Sequence, residues 1–125
     1  MKRISEALAF QNVLAPQSVA ASTDKTTAYV DVSGVEEIVF LVSAAALGKG
    51  KGLTVSLLAS GDSGGAGAEE IGKATFTDSV GTAPQLAVVT YKVSALNGRY
   101  VAVKLRHDAA AEVACGVTAA SSGLY

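Results

Sequence analysis

Few residues of this 125-residue chain could do chemistry: one histidine, one cysteine, and a serine set among glycines. Ser63 lies in Gly61-Asp62-Ser63-Gly64-Gly65, where a small-residue turn could present a hydroxyl as a nucleophile. Acyl transfer by serine also needs a general base within hydrogen-bond reach, a group that orients this base, and donors for the oxyanion. No histidine precedes Ser63, and the only one, His107, follows it by 44 positions. The same letters make a surface loop, because glycine permits φ > 0 and Asp62 and Ser63 can bond nearby backbone amides. The loop is the expectation, and no catalytic residue is assigned.

The string Gly61 to Gly65 resembles the nucleophile loop of the trypsin-like serine proteases. That resemblance implies a histidine and an aspartate ahead of the serine, on a longer chain folded as two barrels, and here it fails outside its own five residues. The other candidates fare no better. Cys115 alternates with Val113 and Val117, which predicts an inward, apolar role with nothing to lower its pKa. His107 ends a strand beside a turn, and is expected to be partly exposed and without a chemical duty. Leu47-Gly-Lys-Gly-Lys-Gly-Leu53 matches neither GxGxxG nor GxxxxGK[ST], so it reads as a solvated turn. No CxxC or Cys/His cluster could hold zinc, and only Asp62 offers an oxygen before the glycines, so neither metal nor cofactor is expected.

The elements that would carry these residues are strands. From Ala28 onward, segments rich in Val, Ile, Thr, Tyr and Phe alternate with Gly, Ser, Asn and Asp clusters: AYVDVS, EEIVFLVSA, GLTVSLLAS, EIGKATFT, LAVVTYKV, RYVAVKLRH and EVACGVTA. This pattern predicts an all-β fold, an antiparallel, jelly-roll-like β-sandwich of about seven to eight strands. Residues 1–125 are read as a single domain, with residues 1–24 as an N-terminal arm outside a sandwich whose strands start near Ala28. Lys2 and Arg3 precede apolar residues, but Glu6, Gln11 and Asn12 interrupt them, so a signal peptide is not expected. A net charge of −1 gives no electrostatic case for nucleic acid as a partner. No apolar run approaches the ~20 residues that span a bilayer, so no membrane partner is expected either.

Period-2 alternation assigns faces. Val101, Val103 and Leu105 are expected in the core, opposite Ala102, Lys104 and Arg106. Val113, Cys115 and Val117 are expected to pair with them across a hairpin turning near Asp108 to Ala111. One strand departs from the pattern: Ile38, Phe40 and Val42 lie on one face of EEIVFLVSA, and Val39 and Leu41 make the other face apolar as well. Something must cover this second face. One candidate is the arm, where Ile4, Leu8, Phe10, Val13 and Leu14 are too apolar for a free tail and the spacing of Ile4 and Leu8 suits a turn or two of helix. Another subunit is the other.

The order of an arm with LAPQSV, then VDVSGVEEIVFLVSAAA, LTVSLLASGDSGG and KVSALNGRYVAVKLR, closed by a Val/Ala-rich strand, is similar to small β-sandwich structural proteins of tailed bacteriophages. The similarity spans roughly residues 4 to 120 and contains no signature motif. These proteins are encoded among head genes, and several are capsid decoration or cement proteins. The resemblance implies a non-enzymatic virion protein, made in the host cytoplasm, that binds the capsid exterior and bridges capsid subunits. Its implied partners are the major capsid protein and further copies of itself, as a trimer or dimer. Ile4, Leu8, Phe10, Val13, Leu14, Val39 and Leu41 are the expected contact residues. A tail or head-completion protein and a host-glycan-binding module are the alternatives, although the chain has no Trp for a sugar platform.

Overall fold

A computed structural model of the chain describes residues 9–94 and 97–123. It contains the strands β1 (Ala9–Val19), β2 (Lys25–Thr26), β3 (Val30–Asp31), β4 (Val35–Ala44), β5 (Gly52–Ser60), β6 (Glu69–Thr77), β7 (Gln85–Lys92), β8 (Tyr100–His107) and β9 (Val113–Gly123). Each of the seven segments read from the sequence overlaps one of β3 to β9. There is no α-helix among the described residues, and the helical turn expected at Ile4 and Leu8 lies outside them.

The strands form two antiparallel sheets. The first has the order β1-β9-β4-β7, and the second β2-β8-β5-β6, with β3 also on β8. The short β2 and β3 meet β8 at Leu105 and Val101, and between them Thr27 and Val103 exchange bonds of 3.0 and 3.2 Å. Together they act as one interrupted strand. Counted so, the sandwich has eight strands in the order of a jelly roll.

The inward faces follow the alternation. Ile38, Phe40 and Val42 of β4 are wholly buried, as are Val101, Val103 and Leu105 of β8. Leu53, Val55, Leu57 and Ala59 of β5 and Cys115, Val117 and Ala119 of β9 complete the centre of the core. Each fully buried Val, Leu, Ile or Phe contributes about 1.5–3 kcal/mol relative to exposure.

Two expectations are corrected. The strands do not start near Ala28: β1 is the edge of the first sheet, paired with β9 from Ala9↔Ser121 to Val19↔Val113. Its alternation is broken by two register shifts, between Asn12 and Leu14 and between Leu14 and Gln17. A bulge lets two successive residues face one way, so Val13 and Leu14 are both buried, at 6% and 7% exposure. Pro16 is tolerated because it sits at the second shift on an edge strand. Nor do β8 and β9 form a hairpin. They belong to opposite sheets, and their apolar faces meet across the core while β9 hydrogen-bonds with β1 and β4.

Candidate functional site

The fold separates the residues that a serine nucleophile would need. β5 pairs with β8 from Leu53↔His107 to Ser60↔Tyr100, so the loop carrying Ser63 leaves one end of β5 while His107 lies at the other. Seven residues of strand put about 23 Å between those ends. The loop is tied to itself instead. The Ser60 hydroxyl donates to the Ala66 carbonyl at 2.7 Å, and the Asp62 carboxylate accepts from the Gly64 amide at 2.8 Å.

His107 is buried, contrary to the expected partial exposure. Its Nε2 lies 2.6 Å from the Val19 carbonyl, and its Nδ1 accepts from the Ala109 amide at 3.2 Å. This pairing places the ring hydrogen on Nε2 and ties the end of β1 to β8. Parity in RYVAVKLRH contained the signal, because His107 shares the odd-numbered face of Val101, Val103 and Leu105. Cys115 is buried as expected, and its burial pushes the thiol pKa up, away from reactivity.

Asp78 was not singled out by sequence, yet it is the most enclosed carboxylate among the described residues. One oxygen accepts from the Leu47 and Gly48 amides at 3.0 and 3.3 Å, the other from Val80 and Gly81 at 3.1 and 2.7 Å, with Gln85 Nε2 at 3.4 Å. The Gly81 bond, foremost, holds its pKa below the ordinary 3.8, against the opposing effect of desolvation. The glycine-rich loop before β5 therefore does hold an anion, and that anion is the protein's own. Gly81 fits because its φ is +85° and a Cβ there would lie 2.5 Å from the Lys49 nitrogen. Asp78 thus fastens the loops before β5 and before β7 to each other.

Beyond these structural groups, what distinguishes the molecule is its two outer faces. On the second sheet, registers place Thr54 beside Arg106 and Thr75, and Ser56 beside Lys104 and Lys73. That face is polar. On the first sheet, one row across the strands reads Phe10, Ala120, Val39, Thr90, the next Asn12, Thr118, Leu41, Val88, and a third Gly116, Ser43, Leu86. Phe10, Leu86 and Val88 are exposed by 55%, 64% and 51%, an apolar patch of the kind that marks an interaction surface. A groove lined by Pro16, Ser43, Pro84 and Gly116 continues it.

Of the contact residues expected from sequence, Phe10, Val39 and Leu41 lie together on this face, the latter two half-buried. Val13 and Leu14 point the other way, into the chain's own core, and Ile4 and Leu8 lie outside the described residues. The described part of the N-terminal segment lies beside β9 in the plane of the sheet, so it does not cover Val39 and Leu41. Leu86 and Val88 were missed, although LAVVTYKV has the same two-faced apolar character as EEIVFLVSA.

No protein-family model and no curated protein sequence matches the chain. Among solved structures it is similar to the PBSX exported protein XepA, with a TM-score of 0.65 and 12% identity over 100% of this chain and 40% of that one. It is also similar to a chain of T=1 particles derived from infectious bursal virus, with a TM-score of 0.60 and 9% identity over 93% of this chain and 31% of that one. A chain of the disulfide-linked pili of Bacillus endospore appendages matches with a TM-score of 0.51 and 16% identity, over 95% and 90% of the two chains. The chain spans about two-fifths of the first and a third of the second, and at such identities the likeness is one of fold.

Proposed function

We propose that this protein is a non-enzymatic structural component of a phage particle, a decoration protein that binds the outer surface of the icosahedral capsid and stabilises it by bridging capsid subunits. The observation that carries this reading is the asymmetry of the sandwich, in which the first sheet exposes the large apolar side chains Phe10, Leu86 and Val88 on its outer face while the second presents Lys73, Lys104 and Arg106. A jelly roll with an exposed apolar outer face is built to dock against another surface. The likeness in fold to chains from viral particles and pili is in keeping with an assembling protein.

The mechanism is mechanical. Phe10, Val39, Leu41, Leu86 and Val88 lose water against the major capsid protein, with roughly 25 cal/mol gained per Å² of apolar area before the costs of association. A copy that touches two capsid subunits adds this free energy to the work of separating them. Bridging also ties neighbouring copies into a shell of their own, with the protein on the exterior of the virion.

Co-sedimentation with capsids stripped of the protein tests the reading. The full chain should pellet with the shells. Leu41→Asp and Val39→Asp, which put a carboxylate in the middle of the outer face, should fold and remain in the supernatant. Binding by both variants at the level of the full chain would move the contact elsewhere.

A further inference from the structure

The two sheets end in four edges among the described residues: β1, β7, the β2/β3 pair, and β6. Natural sandwiches blunt such edges with bulges, proline, charge or short strands, because an open row of amides and carbonyls recruits another strand. Three of the four are blunted here. β1 has two register shifts and Pro16, β2 and β3 are two residues each, and β6 has a shift, Gly72 and the charges of Glu69, Glu70 and Lys73. β7 has none of these devices. It pairs with β4 over eight residues without a shift, and from Gln85 to Tyr91 it carries neither charge, proline nor glycine.

The phase of its hydrogen bonds determines what can be added. The Val93 amide donates to the Glu36 carbonyl at 3.0 Å, and the β4–β7 register runs unbroken from Glu37↔Lys92 to Ala44↔Gln85. Hydrogen-bonded pairs alternate along an antiparallel ladder, so the odd-numbered residues of β7 bond to β4. The amides and carbonyls of Leu86, Val88 and Thr90 therefore face the open edge. Their side chains are also those on the apolar outer face.

We infer that β7 is a strand-addition edge whose occupant is β7 of a second copy, joined antiparallel about a two-fold axis at Val88. Only even-numbered residues offer free groups, and the register centred on Val88 pairs Leu86, Val88 and Thr90 among themselves, with Val88 opposite Val88 and Leu86 opposite Thr90 of the partner. Every such pairing sets apolar face beside apolar face. The only charged residue of β7, Lys92, falls opposite Pro84 and meets no like charge across the seam. This self-match favours a second copy. The half-exposed Val89 and Tyr91, which line a cleft between β6 and β7 at this edge, are covered by the same event. The product is one eight-stranded sheet whose outer face doubles the patch. It deepens the proposed function by naming the contact between copies, and rests on that reading only for its biological setting.

Sedimentation equilibrium of the full chain needs no capsid, so its outcome is separate from that of the co-sedimentation assay. The expected mass is twice 12.5 kDa. Val88→Pro removes an amide that β4 does not use, and Val88→Lys places two like charges at the axis, so both variants should keep their β-sheet circular dichroism and fall to the monomer mass. Val88→Cys should cross-link two copies on mild oxidation, because opposed residues of a hydrogen-bonded pair have Cα atoms roughly 5.5 Å apart, within disulfide range. A monomeric full chain, or a dimer that survives Val88→Lys and is not cross-linked through Val88→Cys, would overturn the inference. So would a monomer that loses capsid binding on Val88→Pro, since the edge would then take a strand of the capsid protein.

Discussion

Deleting residues 1–24 should unfold the protein, although the sequence alone reads this segment as a detachable arm. The deletion removes β1, and with it the side chains of Val13, Leu14 and Val19, buried to 6%, 7% and 3% exposure. At about 1.5–3 kcal/mol for each buried aliphatic side chain, the lost burial is roughly 5–9 kcal/mol. That is comparable with the entire stability of a small domain, about 5–15 kcal/mol. Two further losses act in the same direction. Val117 and Cys115 of β9 lose their β1 neighbours Leu14 and Gln17, and His107 loses the Val19 carbonyl on its Nε2. The assay is far-UV circular dichroism with a urea melt of the chain starting at Lys25. No cooperative transition should remain. Leu14→Ala in the full chain gives the graded version, a loss of about 2–5 kcal/mol, at the low end because β1 is an edge. A truncated chain that melts cooperatively at the midpoint of the full chain would refute the reasoning, since β1 would then contribute nothing to the core.

Leu105→Asp should abolish folding, because a carboxylate without a partner at a wholly buried position costs several kcal/mol, whereas Lys104→Asp on the polar outer face should shift a urea melt by less than about 1 kcal/mol. Equal damage from the two would mean that the faces of β8 are misassigned. Asp78 makes the fold acid-sensitive in a definite direction: its pKa is lowered on folding, so its contribution is complete above the ordinary 3.8 and is lost as pH falls through the lower folded value. Asp78→Asn should therefore lower the urea midpoint at neutral pH, and its midpoint should fall less than that of the full chain as pH drops below 4. A midpoint unchanged at neutral pH would mean that the two loops hold without the carboxylate.

What the sequence reveals of this fold depends on how local the governing physics is. β3 to β9 are legible because an inward residue at every second position is a property of the strand itself, as in Val101, Val103 and Leu105. β1 is not, because its two register shifts erase the period and Pro16 reads as a break, although an edge strand at a bulge accommodates both. Asp78 is invisible for another reason. Thr-Asp-Ser-Val-Gly-Thr reads as an ordinary turn, and its enclosure depends on the Leu47 and Gly48 amides some 30 residues away in sequence. The apolar outer face is half legible. Val39 and Leu41 are conspicuous beside Ile38, Phe40 and Val42, but that Leu86, Val88 and Phe10 join them follows only from the order β1-β9-β4-β7.

The position of the protein in a reconstruction of the virus particle tests the central claim most directly. Density for the sandwich should lie on the outer surface of the head, at many symmetry-related sites. The face bearing Phe10, Val39, Leu41, Leu86 and Val88 should be turned toward the major capsid protein, and the face bearing Lys104 and Arg106 toward solvent. A single ring at the portal, a location in the tail, or the polar face against the capsid would contradict it.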